Sequence, residues 1–293
     1  MAPLQANIKA VLWMLGSITS FLVMAVAGRA TTATLDVFQV MEMRSIIGFF
    51  ILLPLVHMEG GLRAMRSQRP LQHIGRNVVH YAGQFAWLYA LTLIPLAQLI
   101  SIEFTTPIWT AILAVIFLGE RLSWPKIAAI ALGIVGVAVI VRPGTEHIDP
   151  GHLIMLAGAI AFGISVVMVK SLTRTDSVVR IIFWMLIIQS VIGLVPAIQT
   201  WQTPTLDLWP WIVLISFTGM SSHFCMARAL SYADATAIMP LDFLRVPLSA
   251  LIGWLLYSER IDTFTAVGAA LILAGNLLNL RRRAPKPAEV ATS

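Results

Sequence analysis

Ten long apolar runs, separated by short connections, are the feature that most restricts how this chain can fold. Each run holds roughly 17–24 residues, enough to cross about 30 Å of hydrocarbon at ~1.5 Å of helix rise per residue. Helices are expected because backbone amides in lipid must be satisfied within their own segment. We therefore predict an all-α integral membrane protein with ten transmembrane helices near residues 10–28, 37–57, 76–93, 97–118, 125–142, 151–170, 178–199, 208–230, 235–257 and 263–280.

The charge content supports this assignment. Only 12% of the residues are charged and 58% are hydrophobic, whereas soluble proteins carry about 25% charged residues. The excess of 20 basic over 14 acidic residues does not indicate nucleic acid as a partner, because the basic residues lie in short loops and at the C-terminus. The single cysteine, Cys225, lies in an apolar segment, which excludes an intrachain disulfide.

The distribution of lysine and arginine predicts the orientation. Placing the N-terminus in the cytoplasm puts 15 of the 20 basic residues, Arg76 among them, on the cytoplasmic side and three outside. The other two, Arg44 and Arg245, fall within spans. This bias is the positive-inside pattern of membrane proteins. We therefore expect contact with membrane lipid and both termini in the cytoplasm.

An internal repeat divides the chain into two halves. A shift of 139 residues places residues 90–121 over residues 229–260, where several residues are identical: Ala90, Leu91, Phe104, Ala111, Glu120 and Arg121. Because five spans is an odd number, the second copy enters the membrane from the opposite side. Such an inverted repeat is typical of secondary transporters. We predict a first five-helix repeat over residues 1–145, a second, inverted repeat over 146–283, and a cytoplasmic tail over 284–293.

The segment FTTPIWTAILAVIFLGERLSWPKIAAIALGIVGVAVIVRPG, residues 104–144, resembles the EamA-type repeat of the drug/metabolite transporter superfamily. The resemblance covers nearly the whole chain and is greatest to the amino-acid exporters of that superfamily. It implies a bacterial cytoplasmic (inner) membrane protein with a central cavity built by the first, third, fourth, sixth, eighth and ninth spans. The second copy departs from the pattern at Ser258, where the first has Gly119, and at the charged pair Asp242 and Arg245.

Intramembrane ionisable residues lie at matching positions in the two halves. Under the repeat Glu103 falls on Asp242, and helical spacing places Thr106 on the face of Glu103. Arg245 and Ser249 share the corresponding face of the ninth span. Charged residues within spans usually face the bundle interior or a wet cavity. A purely structural alternative remains, in which Asp242 and Arg245 pair as i,i+3 neighbours and Glu103 serves helix packing.

Further polar and aromatic candidates lie on neighbouring spans. The third span carries His80, Gln84 and Trp87 along one stripe, and the eighth carries His223, which coincides with Gln84 under the repeat. A lone histidine of this kind is more often a structural hydrogen-bonding residue than a ligand. The predicted substrate-binding set is His80, Tyr81, Gln84, Trp87, Ser101, Glu103, Thr106, Phe162, His223, Asp242, Arg245 and Ser249.

The motifs favour transport over catalysis. The sequence has no phosphate-binding G-x-x-x-x-G-K-[ST] loop, no H-E-x-x-H and no Cys/His metal-ligand spacing, so we expect no cofactor, no metal and no enzymatic activity. We predict a secondary active or facilitative transporter that exports amino acids or similar small metabolites by alternating access. The alternatives are an importer of a vitamin- or nucleoside-like compound and an intramembrane enzyme. Proton coupling through Glu103, Asp242 or His80 stays open.

Overall fold

The computed structural model describes residues 2–118, 124–142, 149–232 and 241–280, and these ranges contain no β-strand. A short 3₁₀ helix, Leu62–Met65, precedes the third α-helix. In chain order the α-helices are α1 (Ala2–Thr32), α2 (Val37–Met58), α3 (Pro70–Leu93), α4 (Leu96–Glu103), α5 (Thr106–Leu118), α6 (Trp124–Val141), α7 (Pro150–Leu172), α8 (Val178–Gln199), α9 (Trp209–Tyr232), α10 (Arg245–Tyr257) and α11 (Thr263–Leu280).

The helices follow the predicted spans, which confirms the all-α fold class. Four of them are long and apolar enough to cross a membrane, judged by length and composition: Ile8–Thr32, Val37–Met58, Pro150–Val169 and Val178–Gln199. Two predicted bounds are wrong in an informative way. The third helix begins at Pro70 rather than near residue 76, so Arg76 lies within a helix and not in a loop. The fourth span is two helices, α4 and α5, and the predicted start of the ninth, residues 235–240, lies outside the described residues.

Side-chain caps fix where several helices begin. The carboxylate of Asp36 accepts a hydrogen bond from the Phe38 amide, and that of Asp149 accepts one from Gly151, both at 2.8 Å. The hydroxyl of Ser177 accepts one from the Arg180 amide at 3.2 Å. Each cap satisfies a backbone N–H that has no partner inside its helix, so the short connections end in defined helix starts.

The helix pairs have the symmetry that an inverted repeat requires. α1 packs on α9, which joins spans 1 and 8, and α3 packs on α7, which joins spans 3 and 6. Exchanging the halves converts one pair into the other. α2 packs on α8, and α6 on α11, and each of these pairs maps onto itself. The two halves are therefore related by a pseudo-two-fold arrangement of spans.

Single contacts repeat the same symmetry. A Cβ added to Gly16 would meet the side chain of Cys225, and one added to Gly158 would meet Ala86. Gly16 corresponds to Gly158 at an offset of 142, and Ala86 to Cys225 at the offset of 139. The small residue at each crossing lets the paired helices approach closely. The repeat read from the sequence is thus present in the packing.

The pair of α6 and α11 forms a scaffold at the side of the bundle. A Cβ on Gly136 would lie 2.7 Å from the carbonyl oxygen of Gly268, and one on Gly268 would lie 2.6 Å from that of Gly136. Only hydrogen at these positions permits this backbone approach.

Ion pairs and hydrogen bonds tie the two halves at both ends of the bundle. At the end where α1 finishes, here called the distal end, Arg29 pairs with Glu259 and donates to the carbonyls of Leu91 and Ile94 at 2.8–3.1 Å. Ser258 makes this possible, because its left-handed conformation (φ 55°) turns the chain back after α10. A left-handed turn favours glycine, which is the residue at the matching position of the first copy.

The opposite end, where α1 begins, is called here the amino-terminal end. Asp176, in the connection between α7 and α8, lies 2.7 Å from both His73 Nε2 and the hydroxyl of Ser67. Arg180 pairs with its other carboxylate oxygen at 2.9 Å. This cluster joins the start of α3 in the first half to the α7–α8 connection in the second.

Candidate substrate site

Two helix breaks lie at matching positions of the repeat. α4 ends at Glu103 and α5 begins at Thr106; in the second half residues 243–244 form the turn before α10 begins at Arg245. Proline causes both breaks, since Pro107 and Pro247 have no amide hydrogen and crowd the preceding turn. Around the first break the Ile108 amide bonds the carbonyl of Thr105 at 2.8 Å instead of that of Phe104.

The carbonyl freed by the first break has a dedicated partner. Asn276 on α11 is 3% exposed and donates from its amide nitrogen to the Phe104 carbonyl at 2.8 Å. A buried carbonyl without a partner costs about 1–3 kcal/mol. The scaffold therefore stabilises the break, and the sequence offered no signal for this role of Asn276.

Arg245 joins the two breaks. Its Nη1 lies 3.2 Å from Oε1 of Glu103, the last residue of α4, and its Nη2 pairs with Asp242. Trp87 on α3 donates its indole N–H to Oε2 of Glu103 at 2.7 Å. The structural alternative predicted the pair of Asp242 and Arg245 correctly, but Glu103 also takes part, and the cluster crosses between the repeats.

Aromatic rings enclose the guanidinium of Arg245. Its carbon lies 4.3 Å from the ring centroid of Phe21 and 4.7 Å from that of Phe104, within the range of cation–π attraction. Phe21 meets Trp87 edge to face at 5.7 Å. With both carboxylates ionised, the cluster has two negative charges and one positive. It can attract a cation or a proton, and its aromatic walls can stack on a flat ring.

Part of the stripe on α3 is held by side chains of other helices. Nδ1 of His80 lies 2.9 Å from the amide nitrogen of Gln189 on α8, and donation from that nitrogen leaves Nε2 to carry the ring proton. The ring of Phe162 lies 5.6 Å from that of His80. It also packs across Gly83, where a Cβ would lie 2.9 Å from it. His80 and Phe162, both members of the predicted substrate-binding set, therefore lie in contact.

The hydroxyl of Tyr81 lies in the same region as a further carboxyl group, that of Glu42. The hydroxyl oxygen of Tyr81 and Oε2 of Glu42 are buried without a hydrogen-bond partner. A Cβ on Gly193 would lie 2.7 Å from both atoms. Glu42 is 3% exposed, so its carboxyl group is buried within the bundle.

Other predicted residues either make hydrogen bonds within their own helix or have a buried polar atom without a partner. The hydroxyl of Ser101 donates to the Ala97 carbonyl at 2.6 Å, and that of Ser249 to the Val246 carbonyl at 2.7 Å. The hydroxyl of Thr106 and Oε1 of Gln84 are buried and have no partner. The role of these residues in binding substrate stays a prediction.

The accessibility of α9 changes along one face. Ser216, in the half nearer the distal end, is 1% exposed, whereas His223, two turns further on, is exposed. Arg44, Arg76 and Arg245 lie within electrostatic range of His223.

Sequence reasoning missed several residues of this interior. Phe21 gave no signal, because an aromatic ring in an apolar run usually packs. Arg76 had been counted with the loop arginines, and Arg44 was not included in the predicted substrate-binding set. In the described ranges no group of three or more His, Cys, Asp or Glu side chains could hold a metal ion.

Comparisons with known proteins identify the family of this chain. The model of the EamA-like transporter family matches residues 8–142 and 149–281. A protein of Rickettsia felis named S-adenosylmethionine uptake transporter is 29% identical over 94% of this chain and 93% of its own length. A riboflavin transporter of Rhizobium johnstonii is 32% identical over 78% of this chain and 77% of its own.

A third relative and a solved structure extend the comparison. The pseudopaline exporter CntI of Pseudomonas aeruginosa is 25% identical over 87% of this chain and 89% of its own. A crystal structure of another protein shares the fold, with a TM-score of 0.65 at 18% identity over 94% of this chain and 99% of that one. None of these three named relatives is an amino-acid exporter, so the finer resemblance expected from the sequence gains no support. The chain belongs to the EamA-like transporter family, within the drug/metabolite transporter superfamily, and is an integral membrane transporter.

Proposed function

We propose that this protein takes up a charged, nucleoside-like metabolite across the bacterial cytoplasmic membrane, with S-adenosylmethionine as the first candidate cargo. The observation that carries the proposal is the Arg245 cluster, also called the junction below, which consists of Glu103, Asp242 and Arg245. There the helix breaks of both halves meet between aromatic rings. Discontinuous helices at a repeat interface are where secondary transporters bind their cargo. The importer alternative thus replaces amino-acid export as the leading hypothesis.

The chemistry of the junction suits a cationic nucleoside. S-adenosylmethionine joins an adenine ring to a sulfonium, an ammonium and a carboxylate. Glu103 and Asp242 outnumber Arg245 by one charge, which favours a cationic cargo. Phe21 and Trp87 offer ring surface for the adenine. The Rickettsia relative with this cargo in its name aligns over nearly the entire chain.

Riboflavin is the second candidate. The relative named for it has a higher identity, 32%, over a smaller share of the chain, and a flat ring system also fits aromatic walls. Riboflavin is uncharged, however, and leaves the one excess negative charge of Glu103 and Asp242 over Arg245 uncompensated. Burying uncompensated charge is costly, so the charged cargo is favoured.

We further propose that the described conformation is closed at the distal end and open toward the amino-terminal end. The contacts of Arg29 with α3 and Glu259 support the closure, and the exposed His223 supports the opening. The basic residues near the amino-terminal end favour its cytoplasmic location, with both termini and the tail 284–293 there. Repeats over 1–145 and 146–283 are the proposed units of alternating access, and transport rather than catalysis is the proposed activity.

Uptake into proteoliposomes tests the proposal. Purified protein in vesicles is offered radiolabelled S-adenosylmethionine, riboflavin or phenylalanine, with protein-free vesicles as the control. Saturable uptake of S-adenosylmethionine that excess unlabelled cargo suppresses supports it. Uptake of riboflavin alone would favour the second candidate, and uptake of phenylalanine alone would restore the amino-acid hypothesis.

A further inference from the structure

We infer that Arg76 and Asn77 on α3 form an anion site that binds the carboxylate of the cargo. The inference rests on the proposed function in one respect, because it assigns this site to part of the same cargo. It concerns residues outside the Arg245 cluster and predicts a carboxylate-bearing substrate, which riboflavin is not.

The first observation is a buried arginine with an incomplete set of partners. Arg76 is 7% exposed, and its Nε has no hydrogen-bond partner. Its Nη1 donates to the side-chain oxygen of the adjacent Asn77 at 2.7 Å. Among the residues that the structure describes, no carboxylate lies within 4.0 Å of Arg76.

The second observation is that Asn77 completes a set of donors. Asn77 is fully buried, and its amide nitrogen has no partner. With its oxygen held by Arg76, that nitrogen and the free Nε of Arg76 are donors from adjacent residues. Two N–H donors, one of them charged, are what a carboxylate accepts in a strong, charge-assisted arrangement.

The third observation is the charge around this pair. Arg76, Arg44 and His223 all lie within electrostatic range of His80, and Arg44 is not in an ion pair among the described residues. The Arg245 cluster is arranged in the opposite way, since its one cation has two carboxylates. A buried guanidinium without an anion is costly, so an anion from outside lowers the free energy of this region.

The spacing along α3 accommodates one cargo at both sites. Arg76 and Trp87 are eleven residues apart on one helix, a rise of about 16 Å. A carboxylate at Arg76 and a ring beside Trp87 therefore require an elongated molecule with its anion at one end and its heterocycle at the other. A free amino acid is too short to reach both.

Binding measurements on the purified full chain test the site. Isothermal titration compares S-adenosylmethionine with its decarboxylated analogue, which keeps the ring and the cations but lacks the anion. We expect the unmodified protein to bind the carboxylate form roughly tenfold more tightly or better. Arg76→Gln should remove that preference, whereas Arg63→Gln, at an exposed site, should retain it. Equal binding of both compounds by the unmodified protein would overturn the inference.

Asn77→Asp separates binding from structure. The new carboxylate is an internal anion beside Arg76, so we expect a higher melting temperature together with loss of the carboxylate preference. A variant that is less stable and still prefers the carboxylate form would contradict the site.

Simple anions keep the test independent of the cargo. If the protein binds neither compound, the proposed function fails, but acetate should still raise the melting temperature of the unmodified protein more than that of Arg76→Gln. The absence of that difference would overturn the anion site itself. Inorganic phosphate acting through Arg76 much more strongly than acetate would overturn the assignment to a carboxylate.

Discussion

Arg29 and Glu259 form an ion pair that joins the last turn of α1, in the first half, to the chain just after α10, in the second. The Leu96 amide at the start of α4 also donates to Glu259, at 2.9 Å. One arginine and one carboxylate thereby hold the distal ends of spans 1, 3, 4 and 9 together. This pair is the candidate gate on that side of the bundle.

Arg29→Gln should open the distal end more often. The variant loses the ion pair and weakens the three charge-assisted bonds to the carbonyls of Leu91 and Ile94, together about 1–2 kcal/mol, or roughly a 5- to 30-fold shift in population. Leu88 is 1% exposed beside Gly28 of α1. In a Leu88→Cys, Cys225→Ser background we expect an impermeant thiol reagent to label position 88 correspondingly faster when Arg29 is replaced. Identical labelling rates with and without Arg29 would show that the pair is not a gate.

Replacing Arg245 should destabilise the protein, and a second change should restore stability. Arg245→Gln leaves two carboxylates in the interior without a cation, a loss of about 3–5 kcal/mol. Adding Glu103→Gln removes one of these charges, so thermal unfolding in detergent should recover much of the difference. Recovery of uptake to the unmodified level in the double variant would contradict a role for the cluster in binding cargo.

Glu103→Gln alone tests proton coupling. The amide oxygen can still accept from Trp87, and Arg245 keeps Asp242 as a balanced partner, so we expect a folded protein. If Glu103 carries a proton, the pH dependence of uptake in proteoliposomes should flatten. An unchanged pH profile would exclude this residue as the coupling group.

Asn276→Leu should lower the stability of the protein. The Phe104 carbonyl at the helix break loses the side-chain donor that Asn276 supplies, at a cost of about 1–3 kcal/mol. The melting temperature should fall by several degrees. Leu277→Ala, at a half-exposed position of the same helix, is the matched control and should change it much less.

The cluster at the amino-terminal end should depend on pH through Asp176. Although burial raises the pKa of this carboxyl, hydrogen bonds from His73, Ser67 and Arg180 outweigh burial and hold it below its ordinary value of 3.8. Because the pKa is lower in the folded than in the unfolded state, the ionised carboxylate stabilises the protein at pH values above the unfolded pKa. This contribution to stability is lost as the pH falls through the folded-state pKa. Asp176→Asn should therefore melt at a lower temperature at pH 7, with the difference shrinking below about pH 4. A constant difference between pH 7 and pH 3 would contradict this account.

The sequence predicted spans well because lipid imposes a length and an apolar composition on each helix. The bounds of α8 and α11 match the predicted spans, and the inverted repeat correctly paired Glu103 with Asp242 at the two helix breaks. These features depend on local composition and on the similarity of the two halves.

Contacts between helices were beyond the same reasoning. Such contacts depend on which faces of distant spans meet. Examples are the hydrogen bond of Asn276 to the Phe104 carbonyl and that of Gln189 to His80. Arg76 was misplaced because its helix extends past the apolar run that defined it. A positive charge near a span end appears the same in sequence whether it meets water or the interior.

The backbone crossing of Gly136 and Gly268 has a consequence for how the halves can move. Two helices in such close backbone contact cannot slide past one another without first separating, so this crossing acts as a pivot rather than a sliding contact. Rocking of one half against the other would leave α6 and α11 together while the distal ends of α1 and α10 part. A covalent cross-link between α6 and α11 should then permit uptake, whereas one that replaces the pair of Arg29 and Glu259 should arrest it.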